Sequence, residues 1–235
     1  MAFRPKEDAT LAPPMKCSTL VVLLLLADVV VARQPGRETN PGTREVTGNT
    51  IVSTALPKAK LTFSKEFRYV GSQQVNLYGN AEAQEYLFAA AGGPGVVRKF
   101  YWIQFEHFLP TNSSTYNYAS DRTTTIGGLT FIYDVKSWPD YAAMQIEDPQ
   151  SDGAALARLL AQHGLNFPKR TVRVRMFHLP TPDHRSELMI IYGESLPVDS
   201  KVSVRQEGVQ LDTESPQSAD LFLQHALQNL TIDIR

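Results

Sequence analysis

The longest strand-like segment of the chain follows a glycine-rich turn, and it constrains the fold more than any other feature. Residues 96–109 read VVRKFYWIQFEHFL, and residues 92–95 before them read GGPG. Aromatic and β-branched residues favour strands, and a glycine turn leading into such a run is typical of a hairpin. Both alternating faces of the segment are largely apolar. The sequence therefore predicts that residues 96–109 form a central strand of a sheet.

The other segments predict mostly antiparallel pairing. Further strand candidates lie at residues 67–70, 75–78, 85–90, 129–135, 171–179 and 187–196. Ser151 or Asp152 can cap a helix over 151–163. Ser215-Pro216 begins a C-terminal helix whose apolar stripe would contain Phe222, Ala226 and Leu230. Because most links between strands are short, we expect an α+β fold. It would be a predominantly antiparallel, curved β-sheet or half-barrel, with one internal helix and the C-terminal helix packed on it.

The N-terminal region resembles a secretory signal. Met15-Lys16 is followed by residues 18–32, which read STLVVLLLLADVVVA. A basic start, a short apolar core and a small-residue exit are typical of such signals, whereas a membrane span needs about 20 apolar residues and Asp28 interrupts this one. We therefore expect an exported protein, periplasmic or extracellular. The alternative is an uncleaved signal that holds the domain at a membrane as a peripheral protein.

Composition divides the chain into three parts. Residues 1–32 are the N-terminal extension and signal sequence, and residues 33–60 are polar, with two Pro-Gly pairs, as in a flexible linker. Residues 61–235 contain the strand and helix candidates. The sequence predicts that they form a single globular α+β domain.

Several classes of function find no support in the composition. The formal net charge is −1, and no basic run suggests nucleic-acid binding. The single cysteine, Cys17, lies inside the signal, which excludes disulfides, zinc–thiolate sites and a cysteine nucleophile from the mature chain. The five histidines have no metal-ligand spacing, and no glycine loop has the pattern of a phosphate-binding loop. We therefore expect no metal and no cofactor, and the oligomeric state is left open.

Polar residues on the predicted central strand indicate a ligand site. Alternation places Trp102, Gln104, Glu106 and Phe108 on one face with Phe100. A buried carboxylate is costly unless it is paired or hydrogen-bonded. Gln104 and Glu106 would therefore orient a ligand against an aromatic wall. Alternatively, this end of the face opens to solvent, or an arginine pairs with Glu106 for structural reasons.

The predicted hairpin over residues 171–196 contributes the other candidate residues. Arg173 and Arg175 share a face and would either bind an anionic ligand or pair with Glu106 or Glu194. If the turn centres near Pro182-Asp183, His178 lies across from Glu187. This pair would be a base with its orienting carboxylate or an ordinary cross-strand pair. A register slip of one residue would move every side chain to the opposite face.

These features favour a non-enzymatic domain that binds a small or amphipathic ligand. An enzyme that uses Glu106 as general acid or base with His178 is the first alternative. An envelope structural or assembly protein, docking through an edge strand or the C-terminal helix, is the second. Tyr116 and Tyr118, in the long polar segment 110–128, would cover the pocket mouth or belong to a merely connecting loop.

Overall fold

The computed structural model describes residues 43–138, 146–167, 171–196 and 216–235. These ranges contain eleven strands and two helices. In chain order they are β1 (Arg44–Thr47), β2 (Thr50–Ser53), β3 (Ala59–Phe63), β4 (Arg68–Leu77), β5 (Ala81–Gly93), β6 (Val96–Phe108), β7 (Thr123–Ile126), β8 (Leu129–Trp138), α1 (Asp152–Gln162), β9 (Thr171–His178), β10 (Ser186–Ser195), α2 (Pro216–Gln228) and β11 (Leu230–Ile234). The predicted signal, residues 1–32, and the first part of the predicted linker lie outside the described residues.

The strands form two antiparallel sheets. One has four strands in the order β1-β2-β3-β11, and the other has seven in the order β4-β5-β6-β10-β9-β8-β7. The expectation of predominantly antiparallel sheet is confirmed, and the seven-stranded sheet is not closed. β6 pairs with β5 on one side and β10 on the other, which confirms the predicted central strand.

The two faces of the seven-stranded sheet are covered by different partners. On one, the sandwich face, residues such as Phe88 and Tyr101 share a buried core with Leu61 of the four-stranded sheet and Phe222 of α2. On the other, the helix face, residues such as Trp102 pack with the leucines of α1. Strand alternation sends successive side chains to these two environments.

Helix α1 has the termini that the sequence predicts. Ser151 is its N-cap, and the Ser151 hydroxyl accepts a hydrogen bond from the Ala154 amide at 3.2 Å. Gly164, with φ of +67°, follows the helix end, where a left-handed residue suits glycine. The apolar stripe of the helix, including Leu156 and Leu160, is buried on the helix face. This places Asp152, in the first turn, near the sheet.

Two segments differ from the sequence-based expectation. The predicted linker contains β1, β2 and the start of β3, and Ile51 and Ala59 within it are fully buried. These strands are short and have mostly polar alternate positions, so their composition resembles that of a linker. The predicted C-terminal helix stripe included Leu230, but Leu230 begins β11, which pairs with β3. The described residues contain no helix long and apolar enough to cross a membrane.

Candidate functional site

Strand register collects polar side chains on the helix face near one end of β5, β6 and β10. Gln104 lies between Glu85 and Met189, and one step along the strands Glu106 lies between Ala83 and Glu187. Directly opposed residues have Cβ atoms about 4.5–5.5 Å apart, so Glu106 and Glu187 are immediate neighbours. The expectation that Gln104 and Glu106 share the face of Trp102 agrees with this register.

These glutamates border a cavity of about 270 Å³, here called the acidic cavity. It is lined by Leu77, Tyr78, Glu106, Tyr116, Tyr118, Ser151, Asp152, Arg175, Phe177, Glu187 and Met189. The sheet supplies its floor, the start of α1 supplies Ser151 and Asp152, and the loop after β6 supplies two tyrosines. The site thus combines three parts of the chain that are distant in sequence.

The two loop tyrosines hold the two glutamates. The Tyr116 hydroxyl donates to Glu106 Oε1 at 2.7 Å, and the Tyr118 hydroxyl donates to Glu187 Oε2. Gln104 Nε2 donates to the other Glu106 oxygen. Each of the two opposed carboxyl groups is therefore oriented by its own phenol.

Aromatic stacking fixes the positions of these tyrosines. The Tyr118 ring stacks on Phe177 with ring centres 3.8 Å apart, and the Tyr116 ring stacks on Phe108 at 4.4 Å. Phe108, which the sequence predicts as a ligand contact, instead supports Tyr116 and does not line the acidic cavity. The aromatic residues that line the cavity are Tyr78, Tyr116, Tyr118 and Phe177.

Burial disfavours the charged form of the carboxyl groups at this site. It raises the pKa of Glu187 to about 8, and the neighbouring Glu106 adds to the effect, while the hydrogen bond from Tyr118 opposes it. Burial also raises the pKa of Glu106. It raises the pKa of Asp152 as well, against a hydrogen bond from the Gly153 amide and the charges of Arg173 and Arg175. Near neutral pH the site therefore holds at least one proton that a carboxyl group in water would have lost.

A fourth carboxyl group, Glu85, lies opposite Gln104 on the same face of the sheet and is fully buried. Burial raises the pKa of Glu85 to about 8, although Gln73 Nε2 donates to Glu85 Oε2 at 2.6 Å. Within the described part of the chain, Glu85 Oε1 and Gln104 Oε1 have no hydrogen-bond partner. Buried polar atoms without partners are uncommon in folded domains, so the pair Glu85–Gln104 departs from ordinary core packing.

Arg175, which the sequence suggested as a partner for Glu106, pairs with Asp134 instead. Arg175 Nε donates to Asp134 Oδ1 at 2.8 Å, and Arg175 Nη2 donates to Asp134 Oδ2. Burial acts to raise the pKa of Asp134, but Arg175 outweighs it and holds that pKa below its ordinary value. Arg173 lies one step further along the same face, opposite Gly193 and Lys136. The guanidinium that lines the acidic cavity is thus already neutralised.

The predicted opposition of His178 and Glu187 is wrong. His178 pairs with Leu188, one residue away from the predicted register, and its side chain lies on the sandwich face beside Phe131. His178 Nδ1 makes a hydrogen bond of 2.9 Å with the Thr130 carbonyl oxygen. The pairing of His178 with Leu188 leaves residues 179–187 between the two strands, so the turn centres on Asp183 rather than between Pro182 and Asp183. This shift of the register separates the His178 and Glu187 side chains.

Trp102 lies on the predicted face of the sheet, in the part that α1 covers. Its side chain is 1% exposed and packs in the α1 cluster, outside the acidic cavity. Its indole nitrogen has no acceptor among the described residues. Asp152 and Phe177 are cavity residues that the sequence reasoning missed. The capping pattern Ser151-Asp152 gave the helix start but no information about which strand it meets.

The carboxyl groups do not form a metal-binding arrangement. Across the described ranges, no group of three or more His, Cys, Asp or Glu side chains is placed to hold a metal ion. The site is therefore described by its charge, its aromatic wall and its volume. No protein-family model, curated protein or solved structure matches the chain.

Proposed function

We propose that this domain is a non-enzymatic binding domain whose ligand is a small organic cation, an amine or an ammonium group, held in the acidic cavity. The observation that carries the proposal is the charge balance of the lining. Three carboxyl groups face the cavity, and Arg175, the one guanidinium among the described lining residues, is neutralised by Asp134. A bound cation would supply the missing positive charge.

The walls of the cavity suit such a ligand. Tyr116, Tyr118 and Phe177 present aromatic surface beside the carboxyl groups, and ammonium groups are attracted to aromatic faces as well as to carboxylates. The volume of about 270 Å³ is at the lower end for ligand pockets, which favours a compact molecule. The proposal includes the expected curvature of the sheet, with the cavity on its concave side.

Because the pKa of Glu187 is raised, the affinity for a cation should increase as pH rises. A cation binds the ionised carboxylate, and Glu187 holds its proton up to about pH 8. Binding at neutral pH therefore releases a proton. Affinity should rise with pH, by at most about tenfold per pH unit, and level off above about pH 8.

Isothermal titration calorimetry with benzylamine tests the proposal, with benzyl alcohol as a neutral ligand of the same shape. We expect benzylamine to bind, with higher affinity at pH 8 than at pH 6, and benzyl alcohol to bind at least tenfold more weakly. Proton release is measured by repeating the titration in buffers with different ionisation enthalpies. Equal binding of the two probes, or affinity that falls as pH rises, would contradict the proposal.

Matched variants locate the binding. Glu187→Gln keeps the shape of the side chain and removes its charge, so benzylamine affinity should fall at least tenfold and lose most of its pH dependence. Glu66→Gln makes the same change at a partly exposed glutamate that pairs with Arg98 and Lys99. It should leave benzylamine binding unchanged. An equal loss in both variants would show that the effect is not local to the cavity.

The opposed pair Glu106–Glu187 also favours a second candidate, an acid–base enzyme that uses two carboxyl groups. Two neighbouring carboxyls whose pKa values are raised can divide the roles of acid and base. His178, the partner expected from the sequence, lies on the other face. A bell-shaped pH–rate profile that loses its upper limb in Glu187→Gln would establish this function. Any activity that survives unchanged in that variant would exclude the pair as its catalyst.

Export and assembly are separate parts of the proposal. We infer export from residues 1–32, and cell fractionation with N-terminal sequencing of the mature chain tests it. An assembly role would use an edge strand or α2 as its docking surface. Cross-linking in cells that recovers only monomer would count against assembly and leave the binding proposal standing.

A further inference from the structure

A second cavity lies on the sandwich face, where the first strands of the four-stranded sheet meet β4, β5 and β6. Its volume is about 570 Å³, and we call it the arginine cavity after Arg44, which lines it with Leu56, Gln84 and Phe105. Glu106 and Glu187 also border it. Strand alternation directs their side chains to the helix face, where the two loop tyrosines bind them.

The described residues that hold Arg44 in place are all neutral. Its guanidinium carbon lies 3.9 Å from the centre of the Phe105 ring. Arg44 Nη1 donates to Gln84 Oε1 at 2.8 Å, and Arg44 Nη2 donates to the Leu56 carbonyl oxygen at 3.1 Å. The residue is 9% exposed, and Arg44 Nε has no partner among the described residues. The fold thus fixes the plane of a cation without neutralising it.

The charged groups around Arg44 do not compensate it. Glu82 and His107 stand at the rim, with side chains 58% and 54% exposed, and they lie 3.9 Å from each other. Tyr86 is the near group that favours the charged form, whereas burial is the larger influence and lowers the pKa of Arg44. In the part of the chain that the structure describes, no Asp or Glu forms an ion pair with this guanidinium.

A buried, unpaired guanidinium is an unusual and costly feature. Removing a charge from water costs several kcal/mol unless a counter-charge and hydrogen bonds offset it, so buried arginines are normally paired with a carboxylate or phosphate. A guanidinium has five N–H donors, and two are used here. Each Nη of Arg44 thus keeps one N–H donor beyond its bond to the protein, on a preorganised cation that lines the arginine cavity.

We propose that the arginine cavity binds an organic monocarboxylate with an apolar body, such as a medium-chain fatty acid. One unpaired guanidinium balances one negative charge, and Glu82 at the rim disfavours a ligand with several. Leu56, Ala55 and Phe105 supply apolar surface for the body, and the volume suits a ligand of this size. Arg44, Leu56 and Phe105, which carry this proposal, do not line the acidic cavity. Glu106 and Glu187 border both cavities, but the tyrosines of the acidic cavity bind their side chains.

Calorimetric titration of the full-length chain with decanoate, below its micelle concentration, tests the proposal. Decan-1-ol has the same chain without the charge and serves as the control ligand. We expect decanoate to bind at least tenfold more tightly than decan-1-ol. Arg44→Met keeps the apolar stem and removes the charge, and it should abolish this preference while decan-1-ol binding stays the same.

A second variant keeps the test valid if Arg44→Met does not fold. Leu56 is 56% exposed, so Leu56→Glu should fold normally, and the added negative charge at the cavity should weaken decanoate binding at least fivefold. Leu221→Glu, at a leucine on α2 that is 48% exposed and does not line the cavity, is the matched control and should have no effect.

Two results would overturn the proposal: equal affinity for decanoate and decan-1-ol, or unchanged decanoate binding in both Arg44→Met and Leu56→Glu. Benzylamine binding, measured on the same samples, separates this failure from a failure of the acidic cavity. We expect Arg44→Met to leave benzylamine affinity unchanged.

Discussion

The two faces of the seven-stranded sheet carry opposite electrostatic imbalances. The helix face gathers Glu85, Glu106 and Glu187, with raised pKa values. The sandwich face holds Arg44, which has no acidic partner among the residues that the structure describes. The alternation of a β-strand separates them, because Phe105 stacks under Arg44 while the next residue, Glu106, points to the other side. Arg44 and Glu106 therefore lie on opposite faces and do not neutralise each other, and we propose a separate binding site on each face.

The helix face is itself divided into a closed part and an open part. Under α1, Trp102 and Leu156 pack as an ordinary core. Near the first turn of α1, the apolar residues give way to carboxyl groups, tyrosines and a cavity. The same strand β6 supplies both parts, so position along the strand decides whether a residue supports the fold or borders the cavity.

Trp102→Ala should have the largest effect on stability and a small effect on binding. Removing a buried tryptophan costs about 3–5 kcal/mol through lost burial and the void that remains. Because Trp102 lies outside the acidic cavity, benzylamine affinity of the folded fraction should change less than twofold. Chemical denaturation and calorimetry measure the two quantities. A large loss of affinity at unchanged stability would show that the closed and open parts are not distinct.

Glu85→Gln should stabilise the protein at high pH. The pKa of Glu85 is about 8 in the folded state and near the ordinary value of 4.5 when unfolded. Between these values the folded state binds the extra proton, so the free energy of unfolding falls as pH rises from about 5 to 8. The variant removes this loss and should be more stable than the parent at pH 8 by on the order of 2 kcal/mol. Denaturation curves at pH 5 and pH 8 measure it, and a larger gain at pH 5 would contradict the sign.

Tyr118→Phe should weaken amine binding moderately. The Tyr118 hydroxyl donates to Glu187 and favours its ionised form, so its removal raises the pKa of Glu187 further. Loss of one such hydrogen bond is worth about 1 kcal/mol, or about fivefold in benzylamine affinity at pH 7. Tyr133→Phe, at a buried tyrosine of the sandwich face, is the control. An affinity that rises in Tyr118→Phe would be inconsistent with this role.

Gln84→Glu should change the free energy of unfolding only slightly, but it should clearly weaken decanoate binding at the arginine cavity. It places a carboxylate where Gln84 Oε1 now accepts from Arg44, so the ion pair forms within the protein. We expect a gain of about 1 kcal/mol in the free energy of unfolding. Decanoate affinity should fall at least fivefold, because the cation is then neutralised. Gln224→Glu, on the exposed side of α2, should change neither, and tighter decanoate binding in Gln84→Glu would refute the arrangement.

The sequence predicted the parts of the site that depend on local pattern. The alternating residues of β6 placed Gln104 and Glu106 on one face with Trp102, and the capping residues placed the start of α1. Strand pairing is not local, so a shift of one residue between β9 and β10 removed His178 from Glu187. The sequence did not predict Arg44 as a site residue, because β1 is short and polar. Only the pairing of β1 with β2 shows that β1 belongs to a sheet.

A crossed titration tests the central claim most directly. Benzylamine and decanoate are titrated into the parent chain, Glu187→Gln and Arg44→Met under the same conditions at pH 7.5. The account predicts that Glu187→Gln loses at least tenfold affinity for benzylamine alone and that Arg44→Met loses at least tenfold for decanoate alone. If each variant weakens both ligands equally, or neither, the two faces do not hold separate sites of opposite charge.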